Sequence, residues 1–232
     1  MSLPVWSDEV ETAVMRTIAV IALKGGSGKT TVATHLALAA HLRGFKALVA
    51  DIDPQQSAVE VLSARERDGP QYVATSGPHL YAAQLAAIRT DVDAMVIDTA
   101  AGAVEDLGHA IVLADLCLLV VRPTLLDIAA AVRTANLVQR LKKPAVVVLN
   151  QAPAARDGVE PQTVQRAMRA LKVMRLAQAP TILRSRAIYQ TALETGRSAE
   201  ERGDMAATRE IAQLWAFVER LVLAKRKETL PE

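Results

Sequence analysis

Four scarcities bound this 232-residue chain before any motif is read. One cysteine, Cys117, excludes a disulfide framework and any four-cysteine metal site, and fits a reducing, cytoplasmic setting. Aromatic residues make up only 3%, too few for a base-stacking platform along single-stranded nucleic acid. No apolar run approaches the ~20 residues that a membrane-spanning helix requires. Glycine (11) and proline (10) are sparse, and with 51% hydrophobic and 22% charged residues the chain is neither collagen-like, low-complexity nor disordered. The opening stretch MSLPVWSDEVETAVMR lacks the basic flank and apolar core of a signal peptide. Residues 1–15 therefore read as an extension before a single domain over 16–232.

Charge is present in quantity but unevenly placed. The formal net charge of +2 combines an acidic half, residues 1–116 with 8 basic and 14 acidic side chains, and a basic half with 19 and 11. Between Arg133 and Arg186 stand 11 basic residues and two acidic ones, Asp157 and Glu160. An asymmetry of this size calls for a physical role.

Short apolar runs alternate with amphipathic segments. Strands are expected at 17–22, 47–50, 94–97, 116–121, 145–149 and 180–183, apolar on both faces as in parallel strands covered by helices. Helices are expected at 29–43, 79–89, 104–113, 125–141, 161–176 and 205–225. This alternation predicts an α/β fold: a doubly wound, mainly parallel sheet with helices on both faces. Ligands bind such folds at the carboxyl ends of the strands.

The informative residues fall there. After the first strand comes Lys24-Gly25-Gly26-Ser27-Gly28-Lys29-Thr30-Thr31, directly followed by a helical pattern. Glycines let backbone amides turn toward phosphate oxygens, and the helix N-terminus favours an anion. Lys29 can reach the β- and γ-phosphates, and the Thr30 hydroxyl can ligate magnesium. The second strand ends in Asp51-Ile52-Asp53-Pro54-Gln55-Gln56-Ser57, where alternation puts Asp51 and Asp53 on one face. A third run, Ala94-Met95-Val96-Ile97, ends in Asp98. Alone, an apolar run ending in aspartate is common; as the third element in order it gains weight.

The loop departs from the usual phosphate-loop pattern, with Leu23 where a glycine is customary and Lys24 as an additional lysine. It resembles the deviant Walker A motif of the ParA/MinD group of P-loop ATPases, and the DxDPQ string resembles that group's second signature. The resemblance implies a P-loop NTPase fold of the SIMIBI kind, with ATP and Mg2+ as cofactors. It implies that Lys24 crosses a homodimer interface to the partner's nucleotide, that Asp53 positions the attacking water, and that Asp51 and Asp98 serve the magnesium with Thr30. The segment departs from the group at Gln56-Ser57 and at Asp98-Thr99-Ala100, where a proline is usual. A later strand ends in Asn150, a candidate for contacting the adenine edge, with a turn-forming asparagine as the alternative reading.

The basic half suits phosphate. Arg166, Arg169 and Lys172 recur at threefold spacing, and Arg184 and Arg186 follow the last expected strand. The alternative is a solvated helix face. By resemblance, Arg184 lies in the stretch where partition ATPases carry a DNA-binding arginine. The reading is thus a nucleoid-associated DNA-partitioning ATPase: an ATP-bound dimer on non-specific DNA, weakly active alone and stimulated by a ParB-like centromere-binding protein. A ParA-like ATPase positioning a protein cargo is one alternative, and a MinD-like membrane-associated ATPase another. The latter rests on the last helix, whose apolar stripe precedes Lys225-Arg226-Lys227. Such a stripe is more commonly core-facing. A single cysteine argues against an iron–sulfur reductase on the same scaffold.

Overall fold

The computed structural model describes residues 15–102 and 104–223. Residues 1–14 of the expected extension and the Lys225-Arg226-Lys227 cluster lie outside the described residues, and Met15 is buried against the sheet.

Seven strands, β1 (Arg16–Ile21), β2 (Ala47–Asp51), β3 (Gln71–Ala74), β4 (Ala94–Asp98), β5 (Leu116–Val121), β6 (Ala145–Leu149) and β7 (Ala177–Gln178), form one parallel sheet in the order β3-β2-β4-β1-β5-β6-β7. Alternate residues feed two cores. Ile18, Val20, Val49, Val96 and Leu118 face α1 (Lys29–Leu42), α2 (Ser57–Ser63) and, further on, α8 (Met205–Leu223). Ala19, Ile21, Ile97 and Leu119 face α3 (Leu80–Arg89), α4 (Val104–Leu113), α5 (Leu125–Arg140) and α6 (Gln162–Leu171). Burial on both sides explains why these strands are apolar throughout. The short α7 (Ile188–Thr191) completes the set.

Strand order reverses around β1, with β4 on one side and β5 on the other, so a crevice opens at its carboxyl end. The phosphate loop lies there, between β1 and α1.

Three elements escape the sequence pattern. The edge strand β3 is mostly exposed, α2 has seven residues, and α7 has four. The expected strand at 180–183 is a correction: β7 ends at Gln178, because once the Ala179 N–H has reached the Val147 carbonyl (2.9 Å) the chain bends at Pro180 and Thr181. Past the bend, Leu183 N–H rejoins the sheet edge at the Leu149 carbonyl (3.0 Å). Helix α6 ends at Leu171 rather than 176, in a 3-10 turn at Lys172–Met174 closed by Arg175 in a left-handed conformation (φ +52°). The α8 stripe is core at Ile211, Leu214, Trp215, Val218 and Val222, buried in the layer with α1, while Leu221 is exposed. Among the described residues, no helix is long and apolar enough to cross a membrane.

Candidate functional site

Backbone geometry at the loop demands glycine twice. Gly26 and Gly28 adopt φ of +73° and +89°, the left-handed region. A Cβ on Gly28 would also sit 2.4 Å from Asn150 Nδ2. That asparagine, the candidate for the adenine edge, is buried, and its Nδ2 donates to the Ser27 carbonyl (2.8 Å), which braces the loop. Gln151 Nε2 donates likewise to the Gly26 carbonyl (3.2 Å). Both carbonyls are drawn to the end of β6. The first amides of α1, which have no acceptor within the helix, are then available to an anion.

Lys29 lies on this helix start and is 7% exposed. Burial lowers its pKa, while the nearby carboxylates of Asp98 and Asp53 counteract the loss. Asp98 ends β4 in register with Asp51 of β2 and Val20 of β1. Its two oxygens are buried and accept no hydrogen bond. Burial, with Asp51 and Asp53 nearby, pushes its pKa up to about 7 despite Thr30 and Lys29 beside it. A buried carboxylate without a partner is costly unless a cation completes it. Asp98 with the Thr30 hydroxyl therefore fits magnesium, which binds through one or two protein groups plus phosphate oxygens and water. Among the described residues, no group of three or more His, Cys, Asp or Glu side chains able to hold a metal occurs.

Asp51, expected to serve the magnesium, has both carboxylate oxygens engaged by backbone N–H groups. Its Oδ1 accepts the Asp53 N–H (3.0 Å), and its Oδ2 accepts those of Ala58 (2.9 Å) and Val59 (3.3 Å). Helix α2 starts with unpaired N–H groups, and this carboxylate caps them. The side chain thus holds the Asp53 loop and α2 in place. Asp53 itself is half-buried; its Oδ1 accepts the Gln55 N–H (2.9 Å) in a local turn.

Lys24 is folded back on its own chain. Its Nζ lies 2.8 Å from Oδ2 of Asp127, in the first turn of α5. Asp127 also accepts from Arg122 Nε (2.9 Å) and Nη2 (3.3 Å) and from the Thr124 hydroxyl. Burial would raise the pKa of Asp127, but these hydrogen bonds hold it below the usual carboxylate range. The sequence carries a signal for this cluster. Thr124 and Asp127 occupy the N-cap and third helical positions, as in a capping box. Arg122 and Gln151 carried no such signal.

The expected basic set divides across the sheet. Arg166 and Arg169 are exposed on α6 and Lys172 just past its end, on the side of α3–α6. Arg184 and Arg186, expected to meet DNA, lie by α8 on the other side and are each paired with a carboxylate. The Arg184 guanidinium forks onto the two oxygens of Glu160 (2.8 and 2.5 Å), whereas Nε and Nη2 of Arg186 both donate to one oxygen, Oε1, of Glu210 (3.0 and 2.8 Å). Glu210 also accepts the Arg184 backbone N–H (2.9 Å) and the Tyr189 hydroxyl (2.8 Å). Two parallel charge-assisted bonds make the Arg184–Glu160 pair strong.

Cys117 is fully buried in β5, its thiol pushed up to about 12 by burial, so it is inert. His35 shows no metal-ligand arrangement. It bridges the Thr31 carbonyl (2.9 Å) and the Ala199 N–H (3.2 Å), fastening α1 to the C-terminal segment.

Known proteins agree with this layout. Among solved structures the fold is similar to apo McdA of Cyanothece (TM-score 0.75, 18% identity, covering 88% of this chain and 100% of that one). It is similar to the septum site-determining protein MinD of Pyrococcus horikoshii complexed with Mg-ADP (0.72, 16%, 94% and 100%). A third is a putative plasmid partition protein of Borrelia burgdorferi bound to AMPPNP (0.69, 15%, 89% and 100%). A 43-residue stretch is 51% identical to a putative replication protein A of Rhizobium rhizogenes, covering 18% of this chain and only 11% of that protein. The family model for the CobQ/CobB/MinD/ParA nucleotide-binding domain matches residues 18–196, from β1 through the whole sheet. The phosphate loop, its two carboxylate strands and that match converge: the chain belongs to the CobQ/CobB/MinD/ParA nucleotide-binding domain family.

Proposed function

We propose that the protein is an ATP-hydrolysing switch of the partitioning kind, working in the cytoplasm on the nucleoid. In its ATP-bound form it pairs into a sandwich dimer that holds DNA without regard to sequence. Hydrolysis, stimulated by a centromere-binding partner of the ParB kind, releases the DNA. The observation that supports this reading most is the Asp98 carboxylate, buried without a hydrogen-bond partner beside Thr30 and Lys29 at the phosphate loop. The relatives solved with Mg-ADP and AMPPNP support the choice of ligand.

Magnesium, when bound, neutralises charge on the β- and γ-phosphate oxygens. The chain's own residues do the rest. Loop and helix N–H groups orient the phosphates, with their carbonyl sides held by Asn150 and Gln151. Lys29, kept charged by Asp98 and Asp53 against its burial, meets the β- and γ-oxygens. Asp53, held by the Gln55 N–H and the loop that Asp51 caps, orients the attacking water. Lys24 leaves Asp127 and reaches the partner's nucleotide, acting as an arginine finger does. Membrane positioning draws little support from α8, because all of its apolar stripe but Leu221 is spent in the core.

The test is duplex-DNA binding by the full chain with ATP, ADP and no nucleotide across a salt series. The reading predicts binding with ATP alone, falling steeply as salt rises. Equal binding in all three states, or none in any, contradicts it.

A further inference from the structure

We propose that the outward face of α5 is the docking surface for the phosphate backbone of duplex DNA; this deepens the function proposed above and rests on it. Asp127 is the last acidic residue before Asp157, so nothing in residues 128–156 offsets the basic side chains there. Along that stretch Arg133, Asn136, Gln139 and Arg140 are exposed and line one shallow, open concavity of about 750 Å³. Arg133 and Arg140 are seven residues apart, so they stand on one side of the helix about 10.5 Å apart along its axis. Every one of these four side chains offers N–H donors, and phosphate oxygens only accept.

The platform is rigid. Gln139 Nε2 donates to the Met174 carbonyl (2.8 Å), tying α5 to the turn that carries the exposed Lys172. Among the described residues, Arg133, Arg140 and Lys172 form no ion pair. Arg184 and Arg186, in contrast, are clasped by Glu160 and Glu210, and a phosphate would have to displace a carboxylate to reach either. Arginine suits phosphate through its planar fork of donors. Exposed apolar side chains border this face, Leu125 and Leu126 at the start of α5 and Val173 beside Lys172, but the concavity itself is lined by Arg133, Asn136, Gln139 and Arg140, which suits the phosphates of a duplex better than insertion into an anionic membrane.

The experiment measures anisotropy of a labelled random-sequence duplex with the ATP-bound full chain at several salt concentrations. It compares the wild type, the double variant Arg133→Gln/Arg140→Gln, and Arg89→Gln on α3 as a surface control. Thermal melting and ATP binding confirm that each variant is folded. The proposal expects the double variant to lose at least about tenfold in affinity and the slope of log K against log salt to shrink by about 2, roughly one per phosphate contact. Arg89→Gln should match the wild type. If the wild type binds with ATP and the double variant binds equally with the same slope, the α5 face is wrong while the partitioning function stands. If the wild type binds no duplex in any nucleotide state, the function fails and the face with it. Loss of binding to anionic phosphatidylserine vesicles, with duplex binding unchanged, would assign the surface to membrane and overturn the proposal.

Discussion

Replacing Asp127 with asparagine tests what holds Lys24 in place. The carboxylate is 2% exposed and accepts from Lys24 at 2.8 Å, from Arg122 at 2.9 and 3.3 Å, and from Thr124. Breaking a fully buried ion pair costs ~3–5 kcal/mol. Here the cations can turn to water, since Lys24 is 34% and Arg122 28% exposed at the side chain, which reduces the expected loss of folding stability to about 1–2 kcal/mol. Lys24 gains what the fold loses. If leaving Asp127 costs about 1.4 kcal/mol, removing that cost makes the lysine about tenfold more available to a partner. A symmetric dimer uses two such lysines, so ATP-dependent association should tighten by up to about a hundredfold. Sedimentation velocity with a non-hydrolysable ATP analogue measures this, alongside the melting temperature. A dimer that weakens in step with stability, or does not change while stability falls, refutes the idea that Asp127 restrains Lys24.

Gly28→Ala should cost ~1–3 kcal/mol from its φ of +89° and lose most ATP affinity by calorimetry, because its Cβ meets Asn150. Adding Asn150→Ala should recover part of that loss, and strict additivity of the two would contradict the clash. Asp51→Asn should lower stability by about 1–2 kcal/mol through the weakened cap on α2, with magnesium-dependent ATP affinity little changed. Collapse of that affinity without a stability loss would instead make Asp51 a metal ligand. His35 gives a pH signature. Burial lowers its pKa from 6.5 to about 4, so the folded protein keeps it neutral while the unfolded chain takes up a proton first. Its contribution is complete above pH 6.5 and is lost as pH falls toward 4, at up to about 1.4 kcal/mol per unit and about 3 kcal/mol in all. Urea midpoints should fall more steeply over that window for the wild type than for His35→Gln, and parallel curves would count against it.

Periodicity made the central sheet legible, because β1, β4 and β5 bury both faces and cannot be written in polar residues. The phosphate loop was legible because its glycines and Lys29 sit in one contiguous string. What escaped has two causes. Short or exposed elements, α2 and β3, carry too few apolar positions to establish a period. Long-range polar partners leave no local trace: Asn150 meets Ser27 123 residues away, Lys24 meets Asp127 across 103, and Glu210 meets Arg186 across 24. The charge count over the basic half was correct, but it could not reveal which arginines had already found carboxylates.

The claim on which the account turns is that Lys24 acts on the partner's nucleotide while Asp53 acts on its own. Lys24→Ala and Asp53→Ala should each be inactive in ATP hydrolysis. Mixed in equal amounts, they form heterodimers in which one of the two sites is complete, and phosphate release should return to about a quarter of the wild-type specific activity. No activity in the mixture, with heterodimers present by mass, would contradict the account.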